Sequence, residues 1–193
     1  MTNTTNIYTI TDALKENHVF LSVESTDLNG RIIKIQIVDD QGNFLLNTLV
    51  HPRWKIKENS TAGQKHRITN AMVKDAPRWK DLLPTIKKLT DGKKVFVYNA
   101  GYINSIFYTT SAKYKTDFIQ LDVFCLMEVG AELEGTYNHF HGSHTFLRLD
   151  YLCHQVSCKF LPDSKALTLF ELATTLEPLY RKRFACAYSV AKQ

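Results

Sequence analysis

Long hydrophobic runs are missing from this sequence. Its most apolar stretches, 95–98 and 118–127, are short or broken by charge, well below the roughly 20 residues that a membrane-crossing helix needs. No membrane span and no membrane partner are expected. Cysteine is scarce: Cys125, Cys153, Cys158 and Cys186 are the only four, and no two are spaced as CxxC. That spacing disfavours a disulfide framework and favours a reduced, intracellular protein, with the cytoplasm as the expected compartment. Residues 1–6 form a polar Thr/Asn tract with neither a basic start nor an apolar run behind it, unlike a secretory signal, and are expected to fray. Internal repeats and low-complexity linkers are also absent, so one domain over residues 1–193 is expected, with its core from about 19 to 176.

What is present suits a globular domain. Hydrophobic residues make up 44% and charged residues 22% of the chain, enough to bury one sizeable core. The formal charge of +5 helps approach to a polyanion without identifying one.

Short β-rich runs separated by turn residues predict a three-strand meander over 19–50. The runs are 19–23, 31–38 and 44–50, with Asp39-Asp40-Gln41-Gly42-Asn43 turning the chain between the last two. A polar loop follows Pro52. Trp79, Leu82, Leu83, Ile86 and Leu89 then have helical spacing, and Gly92 ends that helix. A buried strand at 94–98, a helix at 103–115 and a strand at 118–123 follow, and 145–179 reads as mainly helical. The basic stretch Tyr180-Arg181-Lys182-Arg183 behind Pro178 reads as a solvated end. A meander followed by alternating strands and helices predicts a mixed sheet of about five strands flanked by helices.

Four segments carry a family resemblance. Val19-Phe20-Leu21-Ser22-Val23-Glu24-Ser25-Thr26, with Leu28 and 31–35 behind it, resembles the first motif of the DnaQ-like (DEDD) 3′→5′ exonucleases. That motif places an acid, any residue, then Glu and Thr at the end of the first strand; Glu24 matches, and Ser22 stands where the family has Asp. His66-Arg67-Ile68-Thr69, with Met72-Val73 and Asp75-Ala76-Pro77, is similar to the loop before the family's first long helix. Val97-Tyr98-Asn99-Ala100-Gly101-Tyr102 resembles the second motif, but Ile103 follows where an Asp is expected. Ser164-Lys165-Ala166-Leu167 resembles the third, with Ser164 in place of the His and Leu169 in place of the Asp. The resemblance implies an RNase H-like, DnaQ-like fold.

It also implies a chemistry that these residues serve poorly. Two-metal phosphodiester hydrolysis needs carboxylates to hold two divalent ions about 3.5–4 Å apart, and hard Mg²⁺ or Mn²⁺ takes oxygen ligands. Of the four acid positions Ser22, Glu24, Ile103 and Leu169, only Glu24 keeps a carboxylate. Ser164 has no useful basicity where the general base belongs. Asn104, Asp163 and Glu171 lie close by in sequence, yet a neighbouring helix position points about 100° away. A degenerate exonuclease without a resident metal is expected. Mg²⁺ or Mn²⁺ enters only under the alternative of a divergent active enzyme.

Two further constellations stand apart. Asn138-His139-Phe140-His141-Gly142-Ser143-His144, with Cys153-His154 and Cys158 downstream, contains zinc-type ligands but matches no closed zinc spacing. Tyr137, Phe140 and Phe146 read instead as an aromatic loop packed over the domain. Trp54 and Trp79, with Lys55, Lys57, Lys65 and Arg67, suggest an aromatic and basic surface for single-stranded nucleic acid, although Trp79 on its helix reads as core. The functional expectation is a protein that binds a nucleic-acid end or a protein partner without cleaving. A divergent active exonuclease and a protein-binding adaptor or inhibitor are the alternatives.

Overall fold

The computed structural model describes residues 9–140 and 142–190, Ser143 and 185–190 by backbone alone. The meander forms as expected: β1 (His18–Ser25), β2 (Ile32–Val38) and β3 (Phe44–Leu49) pair antiparallel in turn. Asp39 fixes the β2–β3 turn, its carboxylate accepting from the backbone N–H of Gln41 at 2.9 Å and of Asn43 at 2.8 Å. Gly42 supplies the φ of 80° that the turn requires and that a side chain resists. Beyond β1, β4 (Lys94–Val97) and β5 (Asp122–Cys125) add in parallel, giving one mixed sheet of order β3-β2-β1-β4-β5. A small hairpin of β6 (Tyr137–Asn138) and β7 (Ser143–His144) stands apart from it.

The helices are α1 (Ile10–Ala13), α2 (Thr61–His66), α3 (Trp79–Thr90), α4 (Ala100–Tyr114), α5 (Leu126–Glu134), α6 (Leu149–Gln155) and α7 (Lys165–Val190). One sheet face, with Phe20, Val38 and Phe96, is covered by α1, α5, α6 and α7. The other, with Val19, Leu21, Ile35, Ile37 and Val95, is covered by α3 and α4. Burial on both sides explains why the central strands are apolar at successive positions. Alternation along β1 sends Phe20, Ser22 and Glu24 toward α7, and Val19 and Leu21 toward α3 and α4.

Several boundaries differ from the sequence reading. The last strand of the sheet is Asp122–Cys125 rather than 118–123, because its register against β4 runs from Lys94↔Asp122 to Val97↔Cys125. The segment after Pro52 is not all loop, since α2 is nucleated by Ser60, whose Oγ accepts from the Gly63 N–H at 3.1 Å. α4 begins at Ala100, ahead of the expected start, because the Asn99 side chain caps it and accepts from the Tyr102 N–H at 3.0 Å. Within the stretch at 180–183 the basic residues Arg181, Lys182 and Arg183 are exposed, as expected of a solvated segment, but it is helical and Tyr180 is not solvated. α7 continues through Pro178, Tyr180 lies in the core with its hydroxyl donating to Glu132 at 2.8 Å, and Arg183 donates to the Leu133 carbonyl.

The core also starts earlier than residue 19. Thr9 and Asp12 form a capping box, and Ile10 and Ala13 of α1 are fully buried against α7. The tract 1–6 lies outside the described residues. Among the described residues, no helix is long and apolar enough to cross a membrane.

Candidate functional site

The C-terminal end of β1 faces the first turns of α4 and α7 across a cleft of about 790 Å³. Ser22, Glu24, Ile103 and Leu169, drawn from three separate motifs, all line it. Ser164 does not; it opens α7, with its N–H on the Leu161 carbonyl and its own carbonyl accepting from Thr168. Its neighbours Asp163 and Lys165 point into the cleft instead. Asn104 and Glu171 are exposed and do not line it, as the angular step along a helix predicts.

Glu24 is engaged. The Lys165 Nζ donates to its Oε1, and both side chains are largely buried, at 32% exposure for Lys165 and 19% for Glu24. The partner strand reinforces this arrangement through register, since Glu24 sits opposite Lys34 and Ser22 opposite Gln36. Ser22 Oγ donates to Gln36 Oε1 at 3.2 Å, while Gln36 Nε2 and Lys34 Nζ both donate to the Asp163 carbonyl, at 3.0 and 2.7 Å. These bonds tie the start of α7 to β2. Ile103 and Leu169, at 3% and 1% exposure, form an apolar floor.

His66 ends α2 at the edge of the same cleft. Its Nδ1 accepts from the Ile68 N–H at 2.9 Å, which leaves the proton on Nε2, an atom that is buried without a hydrogen-bond partner. Burial holds this ring below its ordinary pKa of 6.5, with the Glu24 carboxylate pulling upward and the Lys165 ammonium pushing further down. Tyr102 closes the opposite wall, hydrogen-bonded to Ser25 Oγ at 2.7 Å, and burial raises its phenol pKa. Tyr98 is likewise raised by burial, and its hydroxyl donates to the Leu147 carbonyl at 2.7 Å.

The cleft carries more positive than negative side chains. Lys34, Lys65, Arg67, Arg148 and Lys165 line it, against Glu24, Asp150 and Asp163. Arg148 is held by Asp150 at 2.6 Å, while Lys65 and Arg67 have no carboxylate partner among the described residues. Lys55 and Lys57, grouped with them in the sequence, are exposed elsewhere. Sequence reasoning missed Lys34, His66, Arg148 and Lys165 as site residues. Lys34 and Lys165 lie inside the quoted motif segments, but only their facing positions across the cleft give them meaning.

The His-rich segment is an exposed hairpin. Tyr137, Phe140 and Phe146 are 48%, 91% and 53% exposed, so the expected packing over the domain does not occur. The Tyr137 ring instead meets His139 and His144 edge-on, at centroid distances of 5.1 and 5.6 Å. His141 lies outside the described residues. Among the described residues, no group of three or more His, Cys, Asp or Glu is placed to hold a metal. The Cys153 thiol, fully buried, is pushed up to about 12, chiefly by that burial.

No protein-family model matches the chain. The uncharacterized exonuclease CP81 of Escherichia phage 186 is 31% identical over 150 residues, which cover 74% of this chain and 76% of that protein. Exonuclease X, solved in complex with 5′-overhanging duplex DNA, superposes with a TM-score of 0.57 at 19% identity, covering 84% of this chain and 99% of that one. The nuclease domain of 3′hExo, a DEDDh family member bound to rAMP, gives a TM-score of 0.59 at 9% identity, over 88% and 92% of the two chains. A 3′-exonuclease in 3′-end-specific recognition of the histone mRNA stem-loop gives 0.61 at 10% identity, over 83% and 63%. At these identities the solved structures speak for the fold.

Proposed function

The chain belongs to the DnaQ-like (DEDDh) 3′→5′ exonuclease family, and we propose that it has kept the family's nucleic-acid cleft while giving up hydrolysis, so that it holds a nucleic-acid end without trimming it. The observation that carries this reading is the Lys165–Glu24 pair. Glu24 is the one carboxylate left at the four acid positions, and an ammonium already neutralises it.

The donor set does not fit two divalent ions. Mutual repulsion of such ions is offset only by several charged oxygen ligands, whereas the four acid positions offer one engaged carboxylate, one hydroxyl and the hydrocarbon of Ile103 and Leu169, and of the two other carboxylates that line the cleft, Asp150 and Asp163, the first is already paired with Arg148. Nor is a general base in place at Ser164, which points away. For binding, the inventory is better suited. Lys65 and Arg67 stand free to contact phosphates, Tyr102 offers a ring edge for a base, and two hydrogen bonds from β2 to the Asp163 carbonyl join the walls without metal. Structural relatives bind nucleic acids: Exonuclease X was solved with duplex DNA, and a 3′-exonuclease recognises an mRNA 3′ end.

The test is a 5′-labelled single strand incubated with the protein in millimolar Mg²⁺ or Mn²⁺, followed by anisotropy and by sizing of the strand. Retention that weakens with salt, without shortening, supports the proposal. Metal-dependent shortening abolished by Glu24→Ala establishes the alternative of a divergent exonuclease. Absence of retention at low salt for single strands, duplexes and overhangs moves the role to a protein-binding adaptor.

A further inference from the structure

We propose that the Lys165 ammonium takes the place of a divalent ion in this cleft: it contacts the last phosphodiester of the bound strand, so that the end is held without metal. The inference rests on the reading that the cleft holds a nucleic-acid end, and it names the group that meets the strand there.

Position is the first observation. Ser22, Glu24, Ile103 and Leu169, the positions where the family resemblance puts its metal-holding acids, all line the cleft, and Lys165 lines it with them. Its ammonium donates to the one carboxylate left among the four. Leu169 lies one turn further along the same face of α7, so the ammonium stands beside the apolar floor. A hydrogen bond to phosphate is stronger there than at the wet rim, where Lys65 and Arg67 are exposed.

Charge balance is the second. Two divalent ions held by four carboxylates sum to zero, and so does one ammonium on one carboxylate. With Ser22, Ile103 and Leu169 uncharged, these positions keep that sum through a single cation.

The third is the count of donors. A lysine ammonium is a compact charge with three N–H groups. At Lys165 one is spent on Glu24, and the ammonium has no other hydrogen bond among the described residues. The side chain keeps 32% exposure on the cleft. By contrast, Lys34 is spent on the Asp163 carbonyl at 2.7 Å and Arg148 on Asp150 at 2.6 Å. Lys165 thus brings to the acid positions what an ion would bring: positive charge with unspent contacts for phosphate oxygens.

The test follows the full chain with a 5′-labelled single strand at low salt by anisotropy, in EDTA and in millimolar Mn²⁺. The native chain should bind equally in both. Lys165→Met, compared below its melting transition, should bind about tenfold or more weakly in EDTA, with the salt dependence lowered by about one counterion; Lys165→Arg, which keeps a cation, should retain most of the binding. Mn²⁺ should recover binding by Lys165→Met, because Glu24 and the phosphate oxygens are then free to share an ion, a recovery that a merely destabilised cleft would not show. An uncharged methylphosphonate at the 3′-terminal linkage should weaken the native chain by about tenfold and Lys165→Met by little, while the same change at the 5′-terminal linkage should affect neither. That arm gives a result with the native chain alone, whether or not the variant folds. Native-level binding by Lys165→Met, native binding that requires Mn²⁺, or native binding indifferent to the 3′ methylphosphonate would each overturn this inference with strand binding still in evidence. Absence of binding to the strand in either buffer would overturn the cleft's role and this inference with it.

Discussion

Lys165, the first residue of α7, donates its ammonium to the Glu24 carboxylate at the end of β1, 141 residues away in sequence. Their side-chain exposures of 32% and 19% place the pair between an exposed bridge, worth up to about 1 kcal/mol, and a buried one, whose breakage costs about 3–5 kcal/mol. Lys165→Met should lower stability by about 1–2 kcal/mol, read from the urea midpoint. The double variant Glu24→Gln/Lys165→Met should lose less than the sum of its single changes, because neither partner is left charged alone. Strict additivity would count against the pairing.

Restoring acids alone should fail to recreate a metal site. Ser22→Asp/Ile103→Asp/Leu169→Asp with Lys165 kept should fold less stably and show little Mn²⁺-dependent rise in melting temperature, because the ammonium competes for the new carboxylates. Adding Lys165→Ala should bring out a clear Mn²⁺-dependent rise. An equal rise with and without Lys165 would remove the ammonium from this account.

The four basic residues grouped in the sequence should separate in function. Lys65→Glu and Arg67→Glu should weaken strand retention and reduce its salt dependence by about one counterion per lost phosphate contact. Lys55→Glu and Lys57→Glu, outside the cleft, should do so much less. Equal effects at all four positions would indicate diffuse attraction rather than a cleft.

Acid should weaken the fold through His66. Burial keeps the folded ring below its ordinary pKa of 6.5, so as pH falls the unfolded chain takes up the proton first. Stability from this residue is therefore complete above about pH 6.5 and declines from there toward the lower folded value. Denaturant midpoints measured between pH 7.5 and 5 should fall more for the native chain than for His66→Gln, by no more than one proton's worth of slope.

Gly63 lets α2 pack closely on the backbone of residues 57 and 58. A Cβ there would lie 2.2 Å from the Glu58 carbonyl oxygen and 2.8 Å from that of Lys57, both backbone atoms that cannot swing aside. Gly63→Ala gains about 1 kcal/mol of helix propensity, yet the clash should cost more than that. The expected outcome is a lower melting temperature together with weaker strand retention, since α2 carries Lys65 and His66 and is capped by Arg67. A stabilised variant would mean that α2 relaxes freely.

The meander and the fold class were legible because two-residue alternation and the Asp39–Gly42 turn act locally. Motif spacing also carries the placing of Ser22, Glu24, Ile103 and Leu169 along one cleft, but not of Ser164, which the start of α7 turns out of it. The fifth strand was misplaced because Phe118 and Ile119 suit a strand as well as Val123 and Phe124 do, and only pairing with β4 decides between them. α2 was hidden because a Ser60 cap, rather than an apolar stripe, defines it. Lys165 lies within a motif, but no local pattern announces an ion pair with a residue on the first strand.

The tie between β2 and the start of α7 bears on how the molecule is made. Lys34 reaches the Asp163 carbonyl across 129 residues, so synthesis delivers the meander long before the helix that covers it. Contacts of such range form late, after the loop they close has been ordered. Until then the face with Phe20 and Val38 lacks the helix that completes its cover, and a chain halted before Lys165 would offer the uncovered part to chaperones or to other chains. Ribosome pausing or premature termination ahead of α7 would thus yield a sticky truncated protein whose cleft lacks the Lys165 and Leu169 wall.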